Sequence, residues 1–203
     1  MKPIRGNLST QTLCFIGLFG ALSTVLMLFK VPVFFAPGFM KLDLAELPAI
    51  IGSFMFGPVA GICIVCVKLL LNLIINGSDS MYVGELSNLL LSATYVLCAS
   101  VPYSRKKTKA CAAKSLVLSV VVTGVVALLS NAFFIFPAYA FVYGMEMESI
   151  VAMAGAVNPL VKDSLTLMLF SVFPFNILKF GAVSIITFFV YKRLHKFILQ
   201  ILK

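Results

Sequence analysis

Polar side chains that could hold a ligand stand inside long apolar runs of this sequence. Asn176 and Lys179 are three residues apart in the last run, so a helix presents both on one face. Asn131 stands in an earlier run, directly after Ser130. A charged side chain in the middle of a bilayer costs about 3 kcal/mol or more, so Lys179 requires a partner or a function. An amide and an ammonium on one face could bind the polar edge of a ligand.

Two further pairs of polar residues share helical faces. Glu85 and Asn88 open one apolar run, and Lys68 precedes Asn72 by one turn in the run before it. We expect Lys68 either to reach the membrane interface or to pair with Glu85. Asn72 and Asn88 could equally form hydrogen bonds between helices without a ligand. Glu85 could lie at the solvent-exposed outer surface and cap its helix.

Aromatic side chains flank the polar residues of the last two apolar runs. Aromatic walls with amide and ammonium groups at one edge suit a ring-shaped ligand that has a polar edge. The predicted walls comprise Phe133, Phe134, Phe136, Tyr139, Phe173 and Phe175.

The sequence lacks the common motifs of catalytic and nucleotide-binding sites. His195 is the only histidine, and there is no Gly-x-x-x-x-Gly-Lys-Ser/Thr loop, Gly-x-Ser-x-Gly elbow or His-Glu-x-x-His motif. The five cysteines, including the Cys63-x-x-Cys66 pair, lie in or beside apolar runs and are interpreted as packing residues. We therefore expect a protein that is not an enzyme, has no cofactor or metal, and takes energy for any transport from another subunit.

Composition places these residues in a membrane. Of 203 residues, 61% are apolar and 11% are charged, whereas soluble domains carry roughly a quarter charged residues. The 16 basic residues exceed the 7 acidic ones, but they lie between apolar runs, which indicates membrane topology and no nucleic-acid partner. The sequence predicts an all-α integral membrane protein with a single domain over residues 1–203.

The apolar runs predict six membrane helices. Basic clusters at Lys2 and Arg5, at 105–114, and at 192–203 all lie in the cytoplasm only if an even number of spans separates them. The run from 47 to 77 must then be two helices, divided at Gly57-Pro58. Both termini are predicted to be cytoplasmic; the alternative for the first run is a signal peptide. The predicted helices cover about 10–29, 45–56, 58–76, 84–102, 113–137 and 165–192.

Two long loops, 30–44 and 138–164, then lie outside the membrane. Their length and aromatic content predict a lid over a site that opens outward, with loosely structured connections as the alternative. On the first helix, Gly17 and Ala21 form a small-x-x-x-small face that allows another helix to approach closely. This face is interpreted as a docking surface for a partner subunit or, alternatively, as packing within the bundle.

Four motifs in order along the chain resemble the riboflavin-binding S component of energy-coupling factor (ECF) transporters. They are Lys41-Leu-Asp43 with Leu47-Pro48-Ala49-Ile50, Phe56-Gly57-Pro58-Val-Ala-Gly61, Val83-Gly84-Glu85-Leu86-Ser-Asn88, and Pro174-Phe-Asn176-Ile-Leu-Lys179. Each motif is weak alone, but together they span nearly the whole chain.

The resemblance implies a six-helix fold that binds riboflavin near the outer face, as the specificity subunit of an importer in a bacterial plasma membrane. Its implied partners are a membrane-embedded transducer, docked at Gly17 and Ala21, and two ATP-binding-cassette ATPases. Asn131, Asn176 and Lys179 match the residues that contact the isoalloxazine ring in that family. For the ribityl hydroxyls, Asp43, Glu85 and the backbone around Leu42 and Gly84 are candidates. Asn88 and Tyr139 complete the nine residues predicted to bind the ligand.

Other functions remain open from the sequence. An S component for another vitamin would keep the fold, although an anionic vitamin would favour arginines, and the arginines here lie at the inner ends of the predicted helices. A small membrane enzyme is another class of function, but the sequence lacks the catalytic constellation that it would need. A helical chaperone is a further alternative, but it would not need buried Asn and Lys pairs beneath outer loops.

Overall fold

The structure, a computed structural model, describes residues 10–38, 40–78, 80–144 and 146–201. The basic residues Lys2 and Arg5, which entered the topology prediction, lie outside the described residues. Nine α-helices follow one another within the described part of the chain: α1 Thr10–Leu28, α2 Glu46–Phe56, α3 Pro58–Asn76, α4 Val83–Arg105, α5 Lys109–Ser130, α6 Phe136–Tyr143, α7 Met147–Gly155, α8 Ser164–Leu167 and α9 Phe173–Ile201.

Two short π-helical segments join α-helices into longer ones. The first π-segment, Asn131–Ile135, connects α5 to α6, and the second, Met168–Val172, connects α8 to α9. Each is followed by a Phe-Pro pair, Phe136-Pro137 and Phe173-Pro174. A proline inside a helix cannot donate to the carbonyl four residues earlier, and insertion of a π-turn is a common way to accommodate such a break.

Among the described residues, five continuous helices are long and apolar enough to cross a membrane: Thr10–Leu28, Pro58–Asn76, Val83–Arg105, Lys109–Tyr143 and Ser164–Tyr191. Large apolar side chains such as Leu18, Ile74 and Phe189 are exposed on these helices, as expected for surfaces that face lipid. The 11 residues of α2 span only about 16 Å, half of a typical hydrocarbon core. Because α2 packs against α1, α3, α4 and α9, it is enclosed by protein.

The break between α2 and α3 occurs at the predicted position. Gly57 has φ 101°, a backbone conformation that only glycine adopts readily, and its N–H donates to the Ser53 carbonyl. Pro58 begins α3, where its missing N–H has no cost. The turn is therefore very tight, and the two helices pack against each other.

Several helix bounds differ from the sequence-based ones. The helix predicted for 113–137 begins at Lys109, because the Thr108 hydroxyl caps it by accepting from the Cys111 N–H at 3.1 Å. It also continues to Tyr143 through the first π-segment, and α7 occupies part of the predicted loop 138–164. Much of that loop is thus helical.

A small β-hairpin lies between α1 and α2. Strand β1, Val31–Pro32, pairs antiparallel with β2, Lys41–Leu42. Residues 29–45, which contain both strands, are called the hairpin segment below. Together with α7 and the connector from α7 to α8 (residues 156–163), this segment lies at the end of the bundle that holds the polar residues of interest.

Candidate ligand-binding site

A cavity of about 510 Å³ opens at the hairpin end of the bundle. This volume falls within the range of small-molecule sites, roughly 300–1,000 Å³. Eight of the nine predicted ligand residues line the cavity: Asp43, Gly84, Glu85, Asn88, Asn131, Tyr139, Asn176 and Lys179. Leu42 does not line it, although Lys41 and Asp43 on either side do. The lining combines the hairpin segment with helices from both halves of the chain.

Lys179 forms a buried ion pair with Asp43. The Lys179 Nζ donates to Asp43 Oδ2 at 3.0 Å, and the two residues are 6% and 5% exposed. Asp43 Oδ1 accepts from the Ala45 N–H at 3.0 Å, which fixes the carboxylate just before α2. Burial raises the pKa of the Asp43 carboxyl, but the Lys179 and Lys68 ammonium groups and the hydrogen bonds from Lys179 and the Ala45 N–H together hold the pKa below its usual value. Asp43 therefore stays ionised and joins the hairpin segment to α9.

Asn131 and Asn176 lie at or near the π-segments and are held by hydrogen bonds to the helix backbone. Asn131 begins the first π-segment and donates its Nδ2 to the Ala127 carbonyl at 2.8 Å. Asn176 donates its Nδ2 at 2.8 Å to the carbonyl of Val172, the last residue of the second π-segment. Each bond ties one amide donor to the helix backbone, so the amide oxygen and the second N–H are the groups suited to a ligand. Both side chains line the cavity.

A serine-rich turn before α4 forms another part of the wall. Ser78 and Ser80 donate their hydroxyls to Glu85 Oε2 at 3.0 and 2.7 Å, and the Gly84 N–H donates to Ser80 Oγ at 2.9 Å. A Cβ at Gly84 would lie 2.7 Å from Ser80 Oγ and 3.0 Å from the Tyr139 hydroxyl. Glycine is thus the residue that allows this close approach, and Glu85 is a hydrogen-bonded carboxylate at the cavity wall.

The prediction for Lys68 is wrong in its partner. Lys68 donates to Glu46 Oε1, 2.6 Å away, and to Ser92 Oγ, 3.2 Å away; Ser92 in turn donates to the same Glu46 oxygen at 2.7 Å. Lys68 and Glu46 are both 0% exposed, and neither lines the cavity. Burial decides the pairing, since Glu46 opens the enclosed helix α2 whereas Glu85 is partly exposed and held by serines.

The aromatic walls agree with the prediction in part. Phe136, Tyr139 and Phe175 line the cavity, whereas Phe133 and Phe134 are 69% and 72% exposed and point out of the bundle. Phe173 packs beside Gly124 instead. The prediction grouped these aromatics by their nearness in the sequence to Asn131 and Asn176, and nearness does not tell which side of the helix each one faces.

Several lining residues were missed by reasoning from the sequence. Tyr143 and Phe180 add aromatic surface, and α7, which was predicted as loop, contributes Ile150 and Met153. Phe180 follows Lys179 directly and could have been included on that ground. The residues of α7 carry no sequence signal of their own, because their role depends on how α7 folds over the bundle.

The predicted docking residues lie apart from the cavity. Gly17 and Ala21 are on the exposed side of α1, and a Cβ at Gly17 would have nothing within 4 Å. Gly20, on the adjacent side of α1, packs closely against Val67 of α3. Packing within the bundle therefore uses Gly20 and leaves the Gly17–Ala21 face open.

Comparison with known proteins points to one family. Residues 11–191 match the family model of the substrate-specific component of ECF transporters. The chain is 30% identical over 186 residues to the riboflavin transporter RibU of Staphylococcus aureus (strain TCH60), covering 92% of this chain and 91% of that protein. It is 24% identical over 196 residues to the riboflavin transporter FmnP of Bacillus subtilis (strain 168), covering 95% and 96% of the two chains.

A solved structure supports the same family on the basis of its fold. The chain resembles the S component of a bacterial ECF transporter with a TM-score of 0.71 and 30% sequence identity. The similarity covers 93% of this chain and 97% of that one.

Proposed function

The chain belongs to the substrate-specific components of ECF transporters, and on this basis we propose that it binds riboflavin as the specificity subunit of a vitamin importer. It is not an enzyme, and riboflavin is its transported substrate rather than a cofactor. The observation that carries the proposal is the meeting of Asn131, Asn176 and Lys179 with aromatic side chains in one cavity of about 510 Å³.

The chemistry of riboflavin fits this lining. Its ring presents two carbonyl acceptors around one N–H donor at the pyrimidine edge. The amides of Asn131 and Asn176 can both donate and accept, and the Lys179 ammonium donates to a carbonyl. Lys179 keeps Asp43 as its counter-ion, so a neutral ring edge can share the ammonium without displacing a charge. Phe136, Phe175 and Phe180 supply apolar surface for the ring faces.

The ribityl chain requires polar partners on the other walls. Glu85, Asn88 and the backbone near Gly84 are our candidates for its hydroxyls, with Tyr139 beside them. Leu42 does not line the cavity, so the backbone groups that we assign to this part of the site are those of its neighbours Lys41 and Asp43.

The finer topology also belongs to this proposal. We assign six membrane helices, with α2 as the short one, both termini in the cytoplasm of a bacterium, and the cavity opening to the outside. The basic residues 105–109 then lie on the inner side, in line with the positive-inside rule. The partners are a transducer subunit in the membrane, which docks on the Gly17–Ala21 face of α1, and two ATP-binding-cassette ATPases.

Fluorescence titration of purified, detergent-solubilised protein with riboflavin tests the proposal. Contact with aromatic side chains should quench flavin fluorescence, and the titration should end at one riboflavin per chain. Asn176→Leu should weaken binding by about 1–3 kcal/mol, the cost of leaving buried polar groups unpaired. Absence of quenching up to about 100 μM, equivalent to only about 5–6 kcal/mol of binding, would overturn the assignment of riboflavin. A screen of other vitamins would then examine the same cavity.

A further inference from the structure

Asn158 joins three parts of the protein beside the cavity. It lies in the connector between α7 and α8 and is 7% exposed. Its Nδ2 donates to the Phe170 carbonyl at 3.1 Å, in the second π-segment, and to the Phe35 carbonyl at 3.3 Å, in the hairpin segment. Asn158 does not line the cavity.

A proline removes the donor that a regular α-helix would offer to the Phe170 carbonyl. In a regular α-helix the carbonyl of residue 170 would accept from the N–H of residue 174, but Pro174 has no N–H. A carbonyl without a partner is costly in a membrane protein, where water cannot replace the lost bond. The Asn158 amide donates to this carbonyl and thereby ties the connector to the second π-segment at the break in the helix.

The Phe35 carbonyl is held from two sides. Ser171 Oγ donates to it at 3.0 Å, in addition to the bond from Asn158. The loop of the hairpin segment is therefore fastened to the second π-segment both directly, through Ser171, and through the connector, by Asn158.

The Asn158 side chain is itself firmly fixed. The Asn158 Oδ1 accepts from the Leu160 N–H at 3.1 Å, and the backbone N–H of Asn158 donates to the Ala154 carbonyl at 2.8 Å. The Val161 N–H donates to the Asn158 carbonyl at 3.0 Å. With its acceptor oxygen and backbone held in this way, the Nδ2 group is directed at its two carbonyl acceptors.

The helix that contains the second π-segment and the hairpin segment also meet inside the cavity. Asn176 is bonded to the last residue of the second π-segment, and Lys179 follows it in α9 and pairs with Asp43 of the hairpin segment. Asn158 thus fastens, from outside the cavity, the segments that carry the candidate ligand groups.

We propose that Asn158 is a positioning residue for ligand binding, which holds the second π-segment and the hairpin segment where Asn176 and Lys179 can meet the ligand. This inference rests on the proposed function. It assigns to Asn158 no contact with the ligand, so its effect must pass through the geometry of the ligand groups.

The test compares Asn158→Leu with Ser171→Ala, the matched control that removes only one donor to Phe35 and leaves Phe170 satisfied. Riboflavin affinity is measured by fluorescence titration, and the visible absorption spectrum of bound flavin reports the groups around the ring. We expect Asn158→Leu to weaken binding by at least about tenfold and to change the bound spectrum, and Ser171→Ala to weaken it by less than about threefold.

A second substitution tests the mechanism itself. Pro174→Ala in the Asn158→Leu background returns an N–H that can reach the Phe170 carbonyl, so part of the affinity should recover, which a general loss of stability would not produce. Should Asn158→Leu fail to fold, Asn158→Ser takes its place in both comparisons.

The outcomes separate the inference from the proposed function. Wild-type protein without riboflavin binding would refute the proposed function. Wild-type binding together with unchanged affinity and spectrum in the folded Asn158 variant would refute the positioning role alone. A lowered melting temperature with unchanged affinity and spectrum would likewise assign Asn158 to stability only.

Discussion

Replacing Lys179 with Met should damage ligand binding and stability for two different reasons. The Nζ–Oδ2 distance to Asp43 is 3.0 Å, at which the Coulomb attraction is about 5–6 kcal/mol for an effective dielectric constant of about 20. Desolvation of both charges offsets much of this attraction, so the net value of the pair is small. Removing only the cation leaves Asp43 buried without a counter-ion, which should lower the free energy of unfolding by about 3–5 kcal/mol.

The loss in riboflavin binding comes from the ligand contact. One unpaired carbonyl of the ring should cost about 1–3 kcal/mol, equivalent to a roughly 5- to 150-fold increase in Kd. Thermal unfolding in detergent measures the first effect, and fluorescence titration of the folded protein measures the second.

The double variant Asp43→Asn/Lys179→Met separates the two effects. It removes both charges, so the free energy of unfolding should return to about that of the wild type, because neutral replacement of a buried pair is often harmless. Riboflavin binding should stay weak, since the ammonium is still absent. Recovery of both properties together would show that Lys179 acts on binding only through stability.

Lys68→Met is the matched control. It removes a lysine from a comparably buried ion pair, with Glu46, that does not line the cavity. Unfolding should be as severely affected as in Lys179→Met, while the riboflavin Kd of the folded fraction stays within about threefold of the wild type. The reasoning is refuted if Lys179→Met binds riboflavin normally, or if Lys68→Met loses as much affinity as Lys179→Met.

Two further predictions concern docking and pH. Gly17→Leu should retain riboflavin binding and abolish uptake in cells, because the new leucine side chain projects from the exposed face of α1. Gly20→Leu should instead destabilise the protein, because the leucine would overlap Val67. Loss of binding in Gly17→Leu would mean that the Gly17–Ala21 face packs internally. The pKa of Asp43 in the folded protein lies below its ordinary value of 3.8. The ionised Asp43 carboxylate therefore contributes its full stabilisation above about pH 4, and this stabilisation is lost as the pH falls from 3.8 through the pKa of the folded protein. The melting temperature of the wild type should therefore have an acid-dependent component below about pH 4 that Asp43→Asn/Lys179→Met lacks, and equal pH dependence in both would contradict it.

Local features of the fold were predictable from the sequence. The glycine and proline at 57–58 stop one helix and start the next by backbone sterics alone, so the break lies where it was expected. Long apolar runs likewise produce long helices. The motifs that resemble the ECF S components are confirmed by the family match over residues 11–191, because they are spread along the chain and keep their order.

Non-local pairings were not predictable in the same way. Asp43 and Lys179 are separated by 136 residues, and each was identified separately as a candidate ligand group without any indication that the two pair. Lys68 was expected to reach the membrane interface or to pair with Glu85, and its actual partner, Glu46, was not considered because the burial of α2 was not foreseen. The π-segments also escaped prediction, since an inserted residue in a helical turn leaves the apolar pattern nearly unchanged.

The charge balance around Lys179 bears on which ligands the cavity can accept. The ammonium is buried in contact with one carboxylate, so its charge is already compensated before a ligand arrives. An anionic group would have to compete with Asp43 for the cation, and it would leave one of two buried negative charges without a partner. A neutral carbonyl can accept a hydrogen bond from a remaining N–H of the ammonium and leaves the ion pair intact. The pair that stabilises the hairpin segment against α9 therefore also favours a neutral ring edge, such as that of riboflavin, over an acidic vitamin.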